Sequence, residues 1–189
     1  GPAVSPTLEQ HLQELPTRCY STYGMTETVS HIALREINGE RKSSAYFALG
    51  KVSFSTDKRG CLIINTPHLQ QQRFITNDIV RLVDTTHFEW LGRHDNVINS
   101  GGVKLFPESI EARIASFLSQ RFFITAEDDC RLGQKAVLVI ESLPWDEAEC
   151  QQLLSRLKSC LSPYEVPKNI YFQEHLTETY SGKIVRKIK

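Results

Sequence analysis

The feature that most restricts this chain is a change of texture near Asp95. From Tyr46 to Arg93 the sequence is cut into short apolar runs separated by turn residues. Val52-Ser53-Phe54-Ser55 and Cys61-Leu62-Ile63-Ile64 flank Asp57-Lys58-Arg59-Gly60, which reads as a hairpin whose Gly supplies a positive φ. Asp78 to Val83 and His87 to Leu91 form a second strand pair around Asp84-Thr85-Thr86. Strands at this spacing predict a small barrel or curled sheet.

Beyond Asp95 the pattern becomes α+β. Val97-Ile98-Asn99-Ser100 and Val103-Lys104-Leu105 bracket Gly101-Gly102, a tight turn. Pro107 stands where a helix tolerates a missing N–H, at its first residue. Ile110, Ile114, Phe117 and Leu118 follow on one face. Ala136 to Ile140 reads as a buried strand. Asp146 and Glu149 have the spacing of a capping box, ahead of an amphipathic run of Cys150, Leu153, Leu154, Leu157 and Leu161. Ile170-Tyr171-Phe172 is a last strand before a basic tail.

The expected fold class is therefore α+β: a small β-barrel-like subdomain over 36–94, then an α+β domain over 95–189. Residues 1–35 hold a helix from about Pro6 to Leu15, stopped by Pro16, and a strand closed by Gly24. They have too few partners to build a core and read as the end of a larger domain. Their strand is expected to be disordered or to pair between copies, a self-association with no biological role.

Composition removes several classes of function. The 22 basic and 22 acidic side chains cancel, so no global charge draws the chain to nucleic acid or an anionic membrane. No apolar run approaches the ~20 residues of a membrane span, and the first residues lack the pattern of a signal peptide. The five cysteines are widely spaced with no CxxC, which argues for free thiols and a cytoplasmic setting rather than disulfides or a zinc ribbon. The six histidines show no metal-ligand spacing. No GxSxG elbow occurs.

Three segments do not read as ordinary packing. Tyr20-Ser21-Thr22-Tyr23-Gly24-Met25-Thr26-Glu27-Thr28 is a strand running into a glycine turn lined with hydroxyls and one carboxylate. Such a strand end can meet a phosphate, and its carboxylate can hold Mg²⁺ with retained waters. The plain alternative is a turn whose hydroxyls satisfy each other. Phe74-Ile75-Thr76-Asn77-Asp78 is followed by Gly92-Arg93-His94-Asp95-Asn96 and by Gly101-Gly102. Here Asp78 is able to accept both hydroxyls of a ribose and Arg93 offers a cationic fork. The alternative is a surface ion pair worth little. Ser181-Gly182-Lys183-Ile184-Val185-Arg186-Lys187 presents a lysine in a glycine loop, or is a solvated basic tail. It is not a phosphate-binding P-loop, because Thr177 and Ile184 stand where that motif needs other residues.

Taken together, YGMTET, TND, GRHDNVINSGGVKLFPESIE and SGKIVRK resemble, in order and spacing, the adenylate-forming superfamily of acyl-CoA synthetases, luciferases and peptide-synthetase adenylation domains. The resemblance spans nearly the whole chain. Within the superfamily, YGMTETVSHIALR joined to GRHDNVINSGGVKLFPESIE looks most like the o-succinylbenzoate–CoA ligase branch of menaquinone biosynthesis.

The resemblance implies a two-step use of ATP and coenzyme A on a small-molecule carboxylic acid. It places Tyr23 against adenine, Thr26 on phosphate and Glu27 on Mg²⁺. Asp78 would hold the ribose with Arg93 beside it, and Asp95 would be the hinge of a mobile C-terminal domain. Gly101 and Gly102 would line the coenzyme A path. Lys183 would bridge acid and phosphate during adenylation. Three positions depart from the pattern: Asn77 where Gly is usual, Asn96 where a second Asp is common, and Asn99 where Lys is frequent. No Ser/Thr/Gly-rich phosphate loop ending in Lys occurs. Gly1-Pro2-Ala3-Val4-Ser5-Pro6 resembles the end of the adenine loop, or Gly1-Pro2 is a cloning remnant. The expectation is a C-terminal portion of a longer ligase, inactive alone.

Overall fold

A computed structural model describes residue 4, residues 6–180 and residues 182–188. The reading of Gly1-Pro2-Ala3-Val4-Ser5-Pro6 as a loop end thus falls mostly outside the described residues, as does Ser181. The chain divides after Asp95 into two compact units, each considered by itself.

The first unit comprises α1 (Pro6–Gln13), β1 (Tyr20–Gly24), β2 (His31–Glu36), β3 (Tyr46–Ala48), β4 (Ser53–Thr56), β5 (Cys61–Asn65), β6 (Arg73–Leu82) and β7 (His87–Arg93). Seven strands form one sheet in the order β1-β2-β3-β7-β6-β5-β4, every neighbouring pair antiparallel. The β4–β5 hairpin closes on Gly60 at φ 84°, and the Asp57 carboxylate accepts the backbone N–H groups of Arg59 and Cys61. Phe54 N donates to Thr85 O at 2.7 Å, which brings β4 back to the β6–β7 turn and curls the sheet. Phe54, Leu62, Ile64 and Phe88 fill the core with Ile32, Ala33 and Val52.

The expectation that the strand at Tyr20–Tyr23 lacks partners in its own chain is corrected. β1 pairs with β2 from Tyr20 opposite Glu36 to Tyr23 opposite Ala33, and β2 continues through β3 into the sheet. Buried Asn38 fastens the preceding segment. Its amide N–H groups donate to the carbonyls of Leu12, Leu15 and Thr17 at 2.8, 3.2 and 2.9 Å, and its oxygen accepts Cys19 N–H at 2.7 Å. One side chain thus bonds four backbone groups at the end of α1 and in the loop after it.

The second unit comprises β8 (Ile98–Ser100), β9 (Val103–Leu105), α2 (Pro107–Ile114), β10 (Phe122–Asp129), β11 (Gly133–Glu141), α3 (Glu147–Lys158) and β12 (Ile170–Gln173). The sheet runs β10-β11-β8-β9, with β12 parallel to β11. The capping box at α3 is formed in both directions: Glu149 N donates to Asp146 Oδ1 at 2.8 Å and Asp146 N to Glu149 Oε2 at 2.9 Å. Helix residues Ile110, Ile114, Leu153 and Leu157 pack on Ile124, Leu138 and Ile140. Phe123, Val139 and Leu176 form a separate cluster covered by Tyr171, Ile184 and Ile188. Alternate residues of β11 thus feed both clusters, which is why Ala136 to Ile140 is an unbroken apolar run. Among the described residues, no helix is long and apolar enough to cross a membrane.

Leu138 is 0% exposed and touches both helices' cluster. Leu138→Ala should lower stability by about 2–5 kcal/mol through lost burial and a residual cavity, measured by urea unfolding. A loss below about 0.5 kcal/mol, the scale of a surface change, would contradict this core.

Candidate functional site

In the first unit, three strands bring Tyr23, Asp78 and Arg93 together. Asp78 on β6 lies opposite Arg93 on β7, just before a register shift at Ile79/Val80. The Tyr23 hydroxyl donates to Asp78 Oδ2 at 2.5 Å, and Arg93 donates to Asp78 Oδ1 at 3.2 Å. Asp78 N donates to Thr76 Oγ1 at 3.0 Å, and that buried hydroxyl donates to Leu62 O at 3.0 Å. These bonds fix the backbone at Asp78, whose side chain is 15% exposed against 47% for Arg93. Burial first, then the negative charge of Asp78, pushes the Tyr23 phenol well above its ordinary 10.0. It remains a neutral donor at any physiological pH. Each Asp78 oxygen keeps a lone pair for a further donor, the requirement for gripping a vicinal diol.

The turn after Tyr23 has a different logic. A Cβ at residue 24 would stand 2.6 Å from Ser30 O and 2.7 Å from His31 Cα, so only glycine lets β1 and β2 meet here. Thr26–Thr28 then form a 3₁₀ turn. Buried Thr28 accepts Met25 N–H at 3.1 Å and lies 2.9 Å from the Met25 and Ser30 carbonyls, fixing the turn from beneath. Thr26 and Glu27 are exposed on its outer side. No cluster of three or more His, Cys, Asp or Glu side chains able to hold a metal occurs among the described residues. A single exposed carboxylate such as Glu27 suits Mg²⁺ that keeps waters and arrives with substrate phosphates.

Asp95 belongs to a polar chain that the sequence did not announce. Arg59 donates to Asp57 Oδ2 at 2.8 Å, Asn77 Oδ1 at 3.2 Å and Thr76 O at 3.4 Å. The Asn77 amide in turn donates to Asp95 Oδ2 at 3.4 Å, and Arg93 lies 4.0 Å from the same oxygen. Asn77, the departure from Gly, thus links the β4–β5 turn to Asp95. Only the polarity of the residue hinted at this.

In the second unit, Gly101 and Gly102 join β8 to β9 at φ 58° and 85°. Nothing lies within 4 Å of a Cβ placed at Gly102, so its glycine serves the backbone angle and leaves open space. Lys183 is exposed at the tip of a small hairpin. Thr179 N donates to Lys183 O at 2.8 Å, Lys183 N to Thr179 Oγ1 at 3.1 Å and Gly182 N to Thr179 O at 2.9 Å. Gly182 takes φ 74° there. Arg186, three residues on, was not singled out as a site residue. It reaches α2 and forms a two-pronged pair with Glu111. Glu111 sits in the PESIE motif, so two of the four motif segments meet in one contact.

The fold and its relatives define a class. No family model matches the chain. The fold is that of the C-terminal part of adenylate-forming enzymes, and the relatives are acid–CoA ligases of that family. An AMP-forming acyl-CoA synthetase/AMP-acid ligase II-like protein from Dyadobacter fermentans is 41% identical, with TM-score 0.52, over 98% of this chain and 54% of that one. More particularly, a 2-succinylbenzoate–CoA ligase of Geobacillus sp. (strain WCH70) is 27% identical over 216 residues, covering 98% of this chain and 43% of its own. The o-succinylbenzoate CoA synthetase of Bacillus subtilis, solved with its acyl-adenylate intermediate, matches with TM-score 0.73 at 20% identity, over 98% of this chain and 44% of that one. A medium-chain acyl-CoA ligase of Mycobacterium avium is 34% identical over 98 residues, 51% of this chain and 18% of its own. The chain spans less than half the length of these curated relatives. The α+β fold class and the motif resemblance are both borne out.

The Tyr23 phenol gives a pH test. Its raised value means it contributes stability that is whole below about pH 10 and is lost as pH climbs through the raised value. Tyrosinate absorbance should show one phenol ionising later than the exposed ones, and Tyr23→Phe should remove it. An unchanged titration curve in that variant would take Tyr23 out of the buried pair.

Proposed function

We propose that the protein carrying this chain is an ATP- and coenzyme A-dependent acid–thiol ligase that converts o-succinylbenzoate to its coenzyme A thioester in the cytoplasm. The observation that carries the reading is the Tyr23–Asp78–Arg93 cluster beside the YGMTE turn. It supplies a fixed carboxylate for a ribose next to an aromatic ring. The relatives that cover almost the whole chain support the choice of acid.

In the first half-reaction a carboxylate oxygen attacks the α-phosphorus of ATP and pyrophosphate leaves. Asp78 accepts the ribose hydroxyls while Arg93 holds the carboxylate in place, and the Tyr23 ring flanks adenine. Thr26 donates to phosphate from the exposed side of its turn. Glu27 would hold Mg²⁺, which when bound neutralises phosphate charge. The Lys183 ammonium bridges the acid carboxylate and the phosphate, where negative charge gathers in the transition state. In the second half-reaction the coenzyme A sulfur attacks the acyl carbon, and AMP leaves with the bonding pair. Rotation about Asp95 withdraws Lys183 and presents the open Gly101-Gly102 turn to the pantetheine arm.

A second acid class, medium-chain acids, is favoured by the Mycobacterium avium relative, the more similar in percentage over its shorter span. A binding module without chemistry would not need Glu27, Asp78 and Lys183 together.

Three experiments on the protein carrying this chain test the reading. Pyrophosphate release should be fastest with o-succinylbenzoate among aryl and medium-chain acids; preference for a medium-chain acid would replace the substrate. Lys183→Ala should abolish adenylate formation yet spare thioester formation from supplied acyl-adenylate, and equal loss in both would remove its role. Asp78→Ala should weaken ATP binding by roughly 2–3 kcal/mol, the scale of hydrogen bonds to a charged acceptor. An unchanged affinity by calorimetry would end the ribose assignment.

A further inference from the structure

Lys183 is useful only if its hairpin is held, and the structure shows what holds it. Backbone pairing extends down the hairpin from Thr179–Lys183 through the Glu178–Ile184 bridge to Val185 N, which donates to Thr177 O at 2.8 Å. Directly after that base comes Arg186. Its guanidinium donates to both oxygens of Glu111, one at 2.8 Å, and to Ile124 O at 2.8 Å. Glu111 also accepts Ile124 N–H at 2.7 Å. Helix α2, the start of β10 and the hairpin base are thereby tied at a single pair of side chains. Both are largely covered, 21% and 18% exposed. Burial raises the Glu111 carboxyl, and Arg186 opposes that rise.

The same guanidinium extends toward the hinge. Arg186 lies 3.8 Å from Glu108 Oε1, and that oxygen accepts the Asn96 amide at 2.5 Å. Asn96 follows Asp95 directly. A continuous polar path thus runs from the Lys183 hairpin through α2 to the first residue of this unit. Ordinary tail packing does not require it, since Ile184 and Ile188 already cover the Phe123–Val139–Leu176 cluster.

We infer that Arg186 is a positioning residue for adenylation: its paired grip on Glu111 sets where the Lys183 ammonium stands relative to the hinge end of the domain. The inference rests on the role proposed for Lys183. Arginine is required because its planar fork engages both carboxylate oxygens, whereas a lysine would reach one. A shift of about 1 Å in a positioned catalytic group costs on the order of a hundredfold in rate.

The test compares Arg186→Lys, Arg186→Gln and Lys183→Ala in the protein carrying this chain. Two readouts are taken: pyrophosphate release from ATP with o-succinylbenzoate, and thioester formation from supplied o-succinylbenzoyl-adenylate. Arg186→Lys should lower kcat of adenylation about tenfold or more, leave KM for ATP within about twofold and spare the thioester step. Arg186→Gln should do the same more strongly. Should Gln alone unfold the domain, the pair Glu111→Gln with Arg186→Met removes both charges together and should show the same selective loss. Equal loss in both half-reactions would reduce Arg186 to a stability element and overturn the inference, as would no loss in either. If Lys183→Ala spares adenylation, the parent reading fails and this one with it. Selective loss in Lys183→Ala but not in Arg186→Lys would overturn the positioning role alone.

Discussion

The first unit depends on one buried ring. Phe88 is fully buried on β7 and meets Tyr46 of β3 in a stacked pair at 5.4 Å, with Tyr23 of β1 and Phe54 of β4 edge-on at 5.1 and 4.8 Å. Three strands from across the sheet order converge on it. Such edge and offset contacts add roughly 0.5–1.5 kcal/mol each beyond area burial. The geometry also has a chemical result. With the Tyr23 ring held by Phe88 and Tyr46, its hydroxyl reaches Asp78. Core packing therefore positions one of the donors that hold the carboxylate of the candidate site.

The second unit solves a different problem, a sheet buried on both faces. Helices α2 and α3 cover one face and the segment from Leu176 to Ile188 supports the other. The segment that carries Lys183 is therefore fastened by apolar contacts as well as by Arg186. The lysine proposed for adenylation and the apolar cover of this face share one short piece of chain. The price of that arrangement is a charged pair in a largely covered place, where removing either partner strands the other.

Much of this was legible in the residues. The α3 capping box, the Asp57–Gly60 turn and the Gly101-Gly102 turn were read correctly because each depends on local chemistry: a side chain reaching its own helix end, or a backbone angle only glycine adopts readily. Helix α1 ends at Gln13 rather than near Leu15. Strands β2, β3 and β10 were missed. β2 carries Arg35 and Glu36 within a six-residue run, β3 is only three residues long, and β10 ends in Glu127-Asp128-Asp129. Their identity is set by the neighbour they pair with, which no local pattern records. That is also why β1 seemed to lack a partner. Motif spacing brought Tyr23, Asp78 and Arg93 to attention separately, but not the Arg59–Asn77–Asp95 chain or the Glu111–Arg186 pair. Those join residues 18 and 75 positions apart, through side chains whose types occur on any surface.

Under the role proposed for Lys183, the hairpin that ends at Arg186 bears on the entropy of substrate capture. A lysine on a loose tail would explore many placements, and a bound acid and nucleotide would have to select one. Here the closure at Thr177–Val185 and the grip on Glu111 order the hairpin through contacts of the domain itself. The ordering of the backbone is then charged to folding rather than to binding. What remains for the substrates to fix is the lysine stem itself, about 2 kcal/mol of rotamer freedom. Under that role, a flexible reach at the end of a rigid mount would let one ammonium follow its substrate without remaking the domain that carries it.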